Sequence, residues 1–348
     1  MKVAVFVSSG LGNAILLVPL LNKLKDRGDE ITCISTANYG GKEFFEDCDL
    51  VDHLLEIRPD NSAWVKFNLK YKGVFGEAYL DNFASSRKIL LSAQVVAKKV
   101  IAQNIPKNLP GLLTKKCREV KPKEGLHAAV QNLRLLDPSA NNEALTSSSF
   151  SLPAPSNASK LIEGLAPYIA LQPGSANDTS SYKNWPIEHW VELIASISIQ
   201  YPAKQIVLLG DETDQALADE VRADLGDAVI SLVGKTSIGD LKSIIANCSL
   251  LVGVDSGLMH MAAVYGNPTF TLWGPSESGL YGYETIDDTR HRSVSLHLPC
   301  SPCSSWLSPN TSRVRKPEDC PDFRCMGELT PEIVFNEFER FVQSQPSF

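Results

Sequence analysis

Asp255, Ser256 and Gly257 stand where an apolar, β-branched run, Leu250–Val254, meets the helical spacing of Leu258, Met261, Ala262 and Tyr265. That order reads as strand, tight turn and helix, with Gly266 and Pro268 closing the helix. The backbone N–H groups of Ser256, Gly257 and Leu258 then have no partner inside the helix, and with the helix dipole they make a seat for an anion, most naturally a phosphate. Gly257 has no Cβ to block close approach, the Ser256 hydroxyl adds a donor, and His260 lies one turn further on the same side. A carboxylate is a poor neighbour for phosphate, so Asp255 is expected to accept from a hydroxyl or to fix the turn. An ordinary N-capped turn with a surface histidine would use the same residues, so the reading depends on what else reaches that edge.

Four other turns supply candidates. Pro173-Gly174-Ser175 follows the run Tyr168–Gln172, and a polar loop carries the chain on to Lys183 and to Trp185-Pro186, where a helix with proline in its first turn begins. Lys183 and the free N–H groups can converge on one phosphate, and Glu212, after the next run, can accept from a ribose hydroxyl; as plain loop charges they would do neither. Gly274-Pro275-Ser276 ends the run 269–273. In the first half, Asp81 ends a strand as Asp255 does, and Ser8-Ser9-Gly10-Leu11-Gly12 follows the first strand. This last loop imitates a dinucleotide fingerprint but has Ile15 where the third glycine belongs, so no nicotinamide or flavin is expected. Gly10 and Gly12 are better suited to letting a substrate approach the backbone.

These turns must be held by strands and helices in alternation. Strands are expected at 2–7, 30–35, 51–57, 78–81 and 98–103, and again at 168–172, 205–209, 229–233, 250–254 and 269–273, with helical spacings between them. Such alternation argues an α/β chain with doubly wound parallel sheets, and parallel strands bring their turns to one edge. A polar segment rich in Ser, Asn and Pro, 137–159, reads as a linker. The expected division is therefore 1–150 and 151–330, with a closing helix in 331–348, capped by Thr330 and packed across the domain boundary.

With 348 residues, each half is long enough for its own core, and no run approaches the roughly 20 apolar residues of a membrane span. The N-terminal apolar run is interrupted by two glycines and an amide and has no small-residue cleavage site, so a cytoplasmic chain is expected. The net charge of -7 hides a basic stretch: residues 63–123 carry thirteen Lys or Arg against three acids. That balance suits an anionic partner or an acidic membrane surface, or simply solvated helix faces. Cys33, Cys48, Cys117 and Cys248 are scattered singly, as in a reducing compartment. Cys300, Cys303, Cys320 and Cys325 have a spacing that leaves zinc, disulfides and plain thiols all open.

The motifs "LQPGSA", "YKNWPIEHW", "LLGDETD", "VGVDSGLMHMAAVYGNPTFTLWGP" and "GLGNAILLVPLL" resemble glycosyltransferase family 9, the ADP-heptose:lipopolysaccharide heptosyltransferases and their relatives. The resemblance implies a GT-B architecture: two Rossmann-like domains facing across a cleft, with the nucleotide-sugar donor on the second and the acceptor on the first. It implies that Gly174, Ser175 and Lys183 hold donor phosphates and Glu212 the ribose. Asp255, Ser256, Gly257, His260 and Gly274 would line the sugar-diphosphate site. The reaction implied is an inverting displacement at an anomeric carbon, with a base taking the acceptor proton. No D-x-D sequence stands in the donor half, so protein donors are expected to steady the leaving diphosphate without metal or cofactor.

Similar chains have an aspartate, thought to be the base, where this one has Asn13. A carboxamide cannot take a proton at physiological pH, so Asn13 is left to orient the acceptor and Asp81 becomes the candidate base. The acceptor expected is a lipopolysaccharide core or other anionic surface glycan at the inner face of the cytoplasmic membrane; no nucleic-acid partner is expected. Two other outcomes fit the same fold: a 2-epimerase-like enzyme acting on a nucleotide sugar alone, and a donor-binding protein without turnover.

Overall fold

Alternating strand runs and helical spacings dictate parallel sheets, because a parallel crossover needs a dozen or more residues, usually a helix. The computed structural model describes all residues except 8–9, 37–39, 59, 82–85, 107–109, 166, 176–181, 304–318 and 346–347. The chain divides into two compact units, Met1–Phe150 and Ser151–Phe348.

The first unit holds β1 (Lys2–Val7), β2 (Glu30–Ser35), β3 (His53–Glu56), β4 (Phe75–Leu80), β5 (Ala97–Ala102) and β6 (Cys117–Glu119). They lie in the order β3-β2-β1-β4-β5-β6, all parallel. The second holds β7 (Tyr168–Gln172), β8 (Gln205–Leu208), β9 (Val229–Ser231), β10 (Leu250–Val254), β11 (Thr269–Leu272) and β12 (His291–Val294). Their order is β12-β11-β10-β7-β8-β9, again all parallel. Counted from its own first strand, each sheet has the same winding, that of a Rossmann-like unit. The winding reverses between β1 and β4 in one unit and between β7 and β10 in the other, so the crevices open there, at the carboxyl ends of those strands.

The strands missing from the sequence reading are β6 and β12, both at sheet edges. Their sequences, CRE and HRSV, have no apolar run, because an edge strand is covered on fewer sides and tolerates charge. The expected helix after β1 is two segments, Leu11–Ile15 and Val18–Asp26. Pro19 sits in the first turn of the second segment, where it has no N–H to give to the Ile15 carbonyl and its ring crowds that carbonyl.

The second unit's core gathers Ile169, Leu171, Trp190, Ile194, Val252, Phe270, Phe338 and Phe341. Phe338 and Phe341 come from the closing helix, Pro331–Gln343, whose hydroxyl cap Thr330 accepts from the Ile333 N–H. That helix packs on the helix Ile187–Gln200 and on β12 of its own unit. Phe338 meets Phe270 edge to face, with centroids 5.5 Å apart.

Candidate functional site

The turn after β10 is where the second unit concentrates charge. Asp255 is buried at the strand end, and its Oδ2 lies 2.7 Å from Lys183 Nζ. Burial alone would push the Asp255 carboxyl up, but the Lys183 ammonium outweighs it and holds the group below the usual carboxylate range. Burial likewise opposes the charge on Lys183, and Asp255 more than restores it. The pair is therefore fully ionised, with two further ammonium hydrogens for another acceptor. The link also ties the loop after β7 to the turn after β10, across the point where the winding reverses.

Beside this pair starts the helix Gly257–Val264, and no side chain caps it. The Ser256 hydroxyl, which could have turned inward as a cap, instead donates to Gln172 Oε1 at the end of β7. Ser256 and Gly257 stay partly exposed while Leu258 to Val264 are all buried. The four-residue spacing suggested one apolar face; the packing buries every side of the helix and leaves only its first turn accessible. Uncapped amides with an ammonium nearby form an anion seat of the kind a diphosphate fits.

His260 is buried, and its Nδ1 lies 2.7 Å from the Tyr283 hydroxyl. Burial pulls the imidazole from 6.5 down to about 4, so at neutral pH it is an uncharged ring. Burial also keeps the phenols of Tyr281 and Tyr283 protonated, with the Asp255 charge adding to the effect. Ser276 is buried too, and its hydroxyl helps hold Asp255 ionised.

The other donor-side candidates lie on the same edge. Ser175 gives both its N–H and its hydroxyl to Asn184 Oδ1, at 3.0 and 3.2 Å, closing the base of the loop whose residues 176–181 lie outside those described. Glu212 is exposed after β8, in the turn Glu212–Asp214, with its Cγ packed towards Gly234. Gly174 and Gly210 make room for one carboxylate: a Cβ on either would collide with Asp214. Asp214 accepts the Asp211 N–H at 3.1 Å, and burial raises its carboxyl. The room left by Gly274 is taken by Met326 and Cys325, and its carbonyl accepts from the Ser301 hydroxyl.

The cysteine loop is fastened to that same strand end, the Cys303 N–H donating to the Pro275 carbonyl at 2.9 Å. Cys300 is exposed, Cys303 and Cys320 are half-buried, and Cys325 is buried. Burial, with the neighbouring Cys303, Cys320 and Cys300, pushes the Cys325 thiol up to about 11. Among the described residues no three His, Cys, Asp or Glu side chains are placed to hold a metal ion. Residues 304–318 of the loop lie outside those described.

In the first unit, Asp81 is buried just past the carboxyl end of β4. Gly10 precedes the helix Leu11–Ile15, which carries Gly12 and Asn13, half-exposed, after β1. Among the described residues, nothing lies within 4 Å of a Cβ placed on Gly10. Because β1 and β4 are neighbours, these residues share the first unit's crevice edge.

Gln172, Asn184, Asp214, Tyr281 and Tyr283 were not read from the sequence. Gln172 had a signal, a polar residue closing an otherwise apolar strand; the tyrosines had none, since they reach His260 from a loop with no periodicity.

Two Rossmann-like units in one chain, the second with an uncapped helix start beside a buried ion pair, place the protein in the class of double-Rossmann α/β folds. Residues 89–312 match the sequence model of glycosyltransferase family 9 (heptosyltransferase), and the chain belongs to that family. It is 33% identical over 117 residues to lipooligosaccharide heptosyltransferase 2 of Haemophilus influenzae, covering 32% of this chain and 33% of that one. It is also 33% identical over 114 residues to lipopolysaccharide heptosyltransferase 2 of Escherichia coli, 32% of each chain. The matched segment spans about a third of the length of these relatives. Among solved structures, E. coli ADP-heptose lps heptosyltransferase II superposes with a TM-score of 0.71 at 20% identity, over 99% of both chains. A family 9 glycosyl transferase from Veillonella parvula does so with a TM-score of 0.74 at 18% identity, over 99% of this chain and 97% of that one. These likenesses show the GT-B fold.

Proposed function

We propose that the chain is an inverting glycosyltransferase that moves a sugar, heptose or a relative, from a nucleoside-diphosphate sugar to a lipopolysaccharide core or other surface glycan. The observation that carries this is the juxtaposition at the β7–β10 switch point: uncapped amides at Ser256 to Leu258 beside an ammonium that a buried carboxylate keeps charged. A diphosphate leaving an anomeric carbon gathers negative charge, and donors already in place stabilise it as it forms. Asp255 holds Lys183 in position. His260, uncharged, can accept or donate one hydrogen bond to the sugar without adding charge. Glu212 is exposed where it can accept from ribose hydroxyls.

On the acceptor side, Asn13 orients a hydroxyl and Asp81 takes its proton. The acceptor is an anionic glycolipid or glycan, met at the inner face of the cytoplasmic membrane. Heptosyltransferase relatives support the class of donor and acceptor, and one solved neighbour is described with ADP-2-deoxy-2-fluoro heptose.

Incubation with ADP-, GDP-, UDP- and CMP-sugars tests this. Release of nucleoside diphosphate that requires a lipopolysaccharide-core acceptor is the expected result. Conversion of a nucleotide sugar without acceptor would replace the reading with an epimerase, and thermal stabilisation by a donor without turnover would replace it with a binding protein.

A further inference from the structure

Most large apolar side chains on the surface are gathered in one place. Of the nine exposed among the described residues, five are Val65, Leu69, Val74, Leu91 and Val95, with Leu69 74% and Val65 57% exposed. They lie on the helices Asn61–Lys70 and Arg87–Val96 and on the turn between the first of these and β4. Three contacts lock the helices side by side and parallel. Lys88 Nζ sits 5.6 Å from the ring centroid of Trp64; Ser92 donates to Asn68; and the Gly73 N–H donates to the Val95 carbonyl at 3.0 Å. Val65 and Leu69 are one turn apart beside the first helix's contact positions, and Leu91 and Val95 are one turn apart beside the second's. The two stripes therefore flank the seam, and Val74 adjoins its far end.

Apart from Asp60, which caps the first helix by accepting from the Ala63 N–H, the charges on and beside these two helices are positive. Neither helix contains an acid, and Lys66, Lys70, Lys72 and Arg87 are exposed on its shoulders. The nearest strand carboxylate, Glu77, is already held by Arg27 and Lys99. Lysine is depleted at specific protein interfaces, whose centres favour Tyr, Trp and Arg. Short aliphatic side chains on a crest, with lysines that can reach upward around it, match the boundary of an anionic bilayer instead.

We propose that the seam between Asn61–Lys70 and Arg87–Val96 is a membrane-docking face, inserting Val65, Leu69, Leu91 and Val95 among acyl chains while Lys66, Lys70, Lys72 and Arg87 meet anionic lipid headgroups. Its purpose rests on the reading that the acceptor is membrane-anchored, but the vesicle-binding measurement itself needs neither sugar donor nor acceptor. The full chain should sediment with phosphatidylethanolamine–phosphatidylglycerol vesicles and far less with phosphatidylcholine vesicles. Lys66→Gln with Lys70→Gln should weaken that binding by about fivefold per charge removed. Leu69→Ser with Val95→Ser should release the protein from phosphatidylglycerol vesicles with its melting temperature and its stabilisation by nucleotide unchanged. Vesicle binding that all these variants retain, or no binding to phosphatidylglycerol, overturns the proposal. So does a dimer in lipid-free solution that Leu69→Ser with Val95→Ser dissociates, since a second copy would then be the occupant. A chain that docks but turns over no donor refutes the transferase reading alone.

Discussion

The two units wind their strands identically and arm their crevices differently. At the β7–β10 edge the second unit holds a buried ion pair, a helix start without a cap and a neutral histidine. At the β1–β4 edge the first unit offers glycine, a carboxamide and one buried carboxylate. The lesson is that a shared winding supplies a place for chemistry and leaves its kind to a few turn residues. The second edge is preorganised for a charged group; among the described residues the first shows one buried carboxylate, Asp81.

That contrast can be broken by substitution. Asp81→Asn should leave donor binding intact and lower the transfer rate by about 10²–10⁴-fold, the usual contribution of a general base. If transfer survives, Asp81 is not the base, and Asn13→Asp becomes the variant to compare. In the second unit, Lys183→Met should lower turnover by about 10²–10³-fold, the cost of one lost donor at a developing charge. It should also cost about 3 kcal/mol in a denaturant melt, because Asp255 is left buried without its partner. Lys183→Arg should recover most of the stability.

The glycines sharpen the same comparison. Gly174→Ala runs into Asp214 and should cost about 1–3 kcal/mol, while Gly10→Ala meets nothing within 4 Å among the described residues and should stay within about 0.5 kcal/mol. Adding Asp214→Ala should relieve most of the Gly174→Ala cost, which melts of the single and double variants would measure. The smallest effect is on pH. Burial holds His260 and His291 at about 4, against 6.5 when unfolded, so below about 6.5 the unfolded chain takes up protons that the native one refuses. Their contribution is complete above pH 6.5 and is lost as pH falls towards 4. His260→Asn and His291→Asn should flatten the melting temperature over that window.

Much of this architecture was legible in advance. Most of the ten runs read as strands are rich in apolar residues, above all Val, Ile and Leu in 168–172, 205–209 and 250–254, because a parallel strand covered on both faces needs no polar alternation. Lys183 and Asp255 could be named, since Asp255 ends such a run and Lys183 precedes the helix that follows another. Their 2.7 Å pairing could not, because the loops that bring them together are 72 residues apart. Likewise the seam of exposed Val and Leu was hidden: residues 63–123 announced their charge, but only the packing of two helices showed which aliphatic side chains had been left outside.

By itself, then, the sequence determined the two parallel sheets, the turn at Asp255-Ser256-Gly257 and the family motifs, all of which rest on short-range spacing. Tertiary structure alone decided that Ser256 turns its hydroxyl to Gln172 and leaves the helix uncapped. It alone decided that His260 is buried against Tyr283 and uncharged, and that Gly274 shelters Cys325 and Met326. The physical reason is that protonation and hydrogen-bond partners depend on burial and on neighbours distant in the chain, which no local pattern encodes.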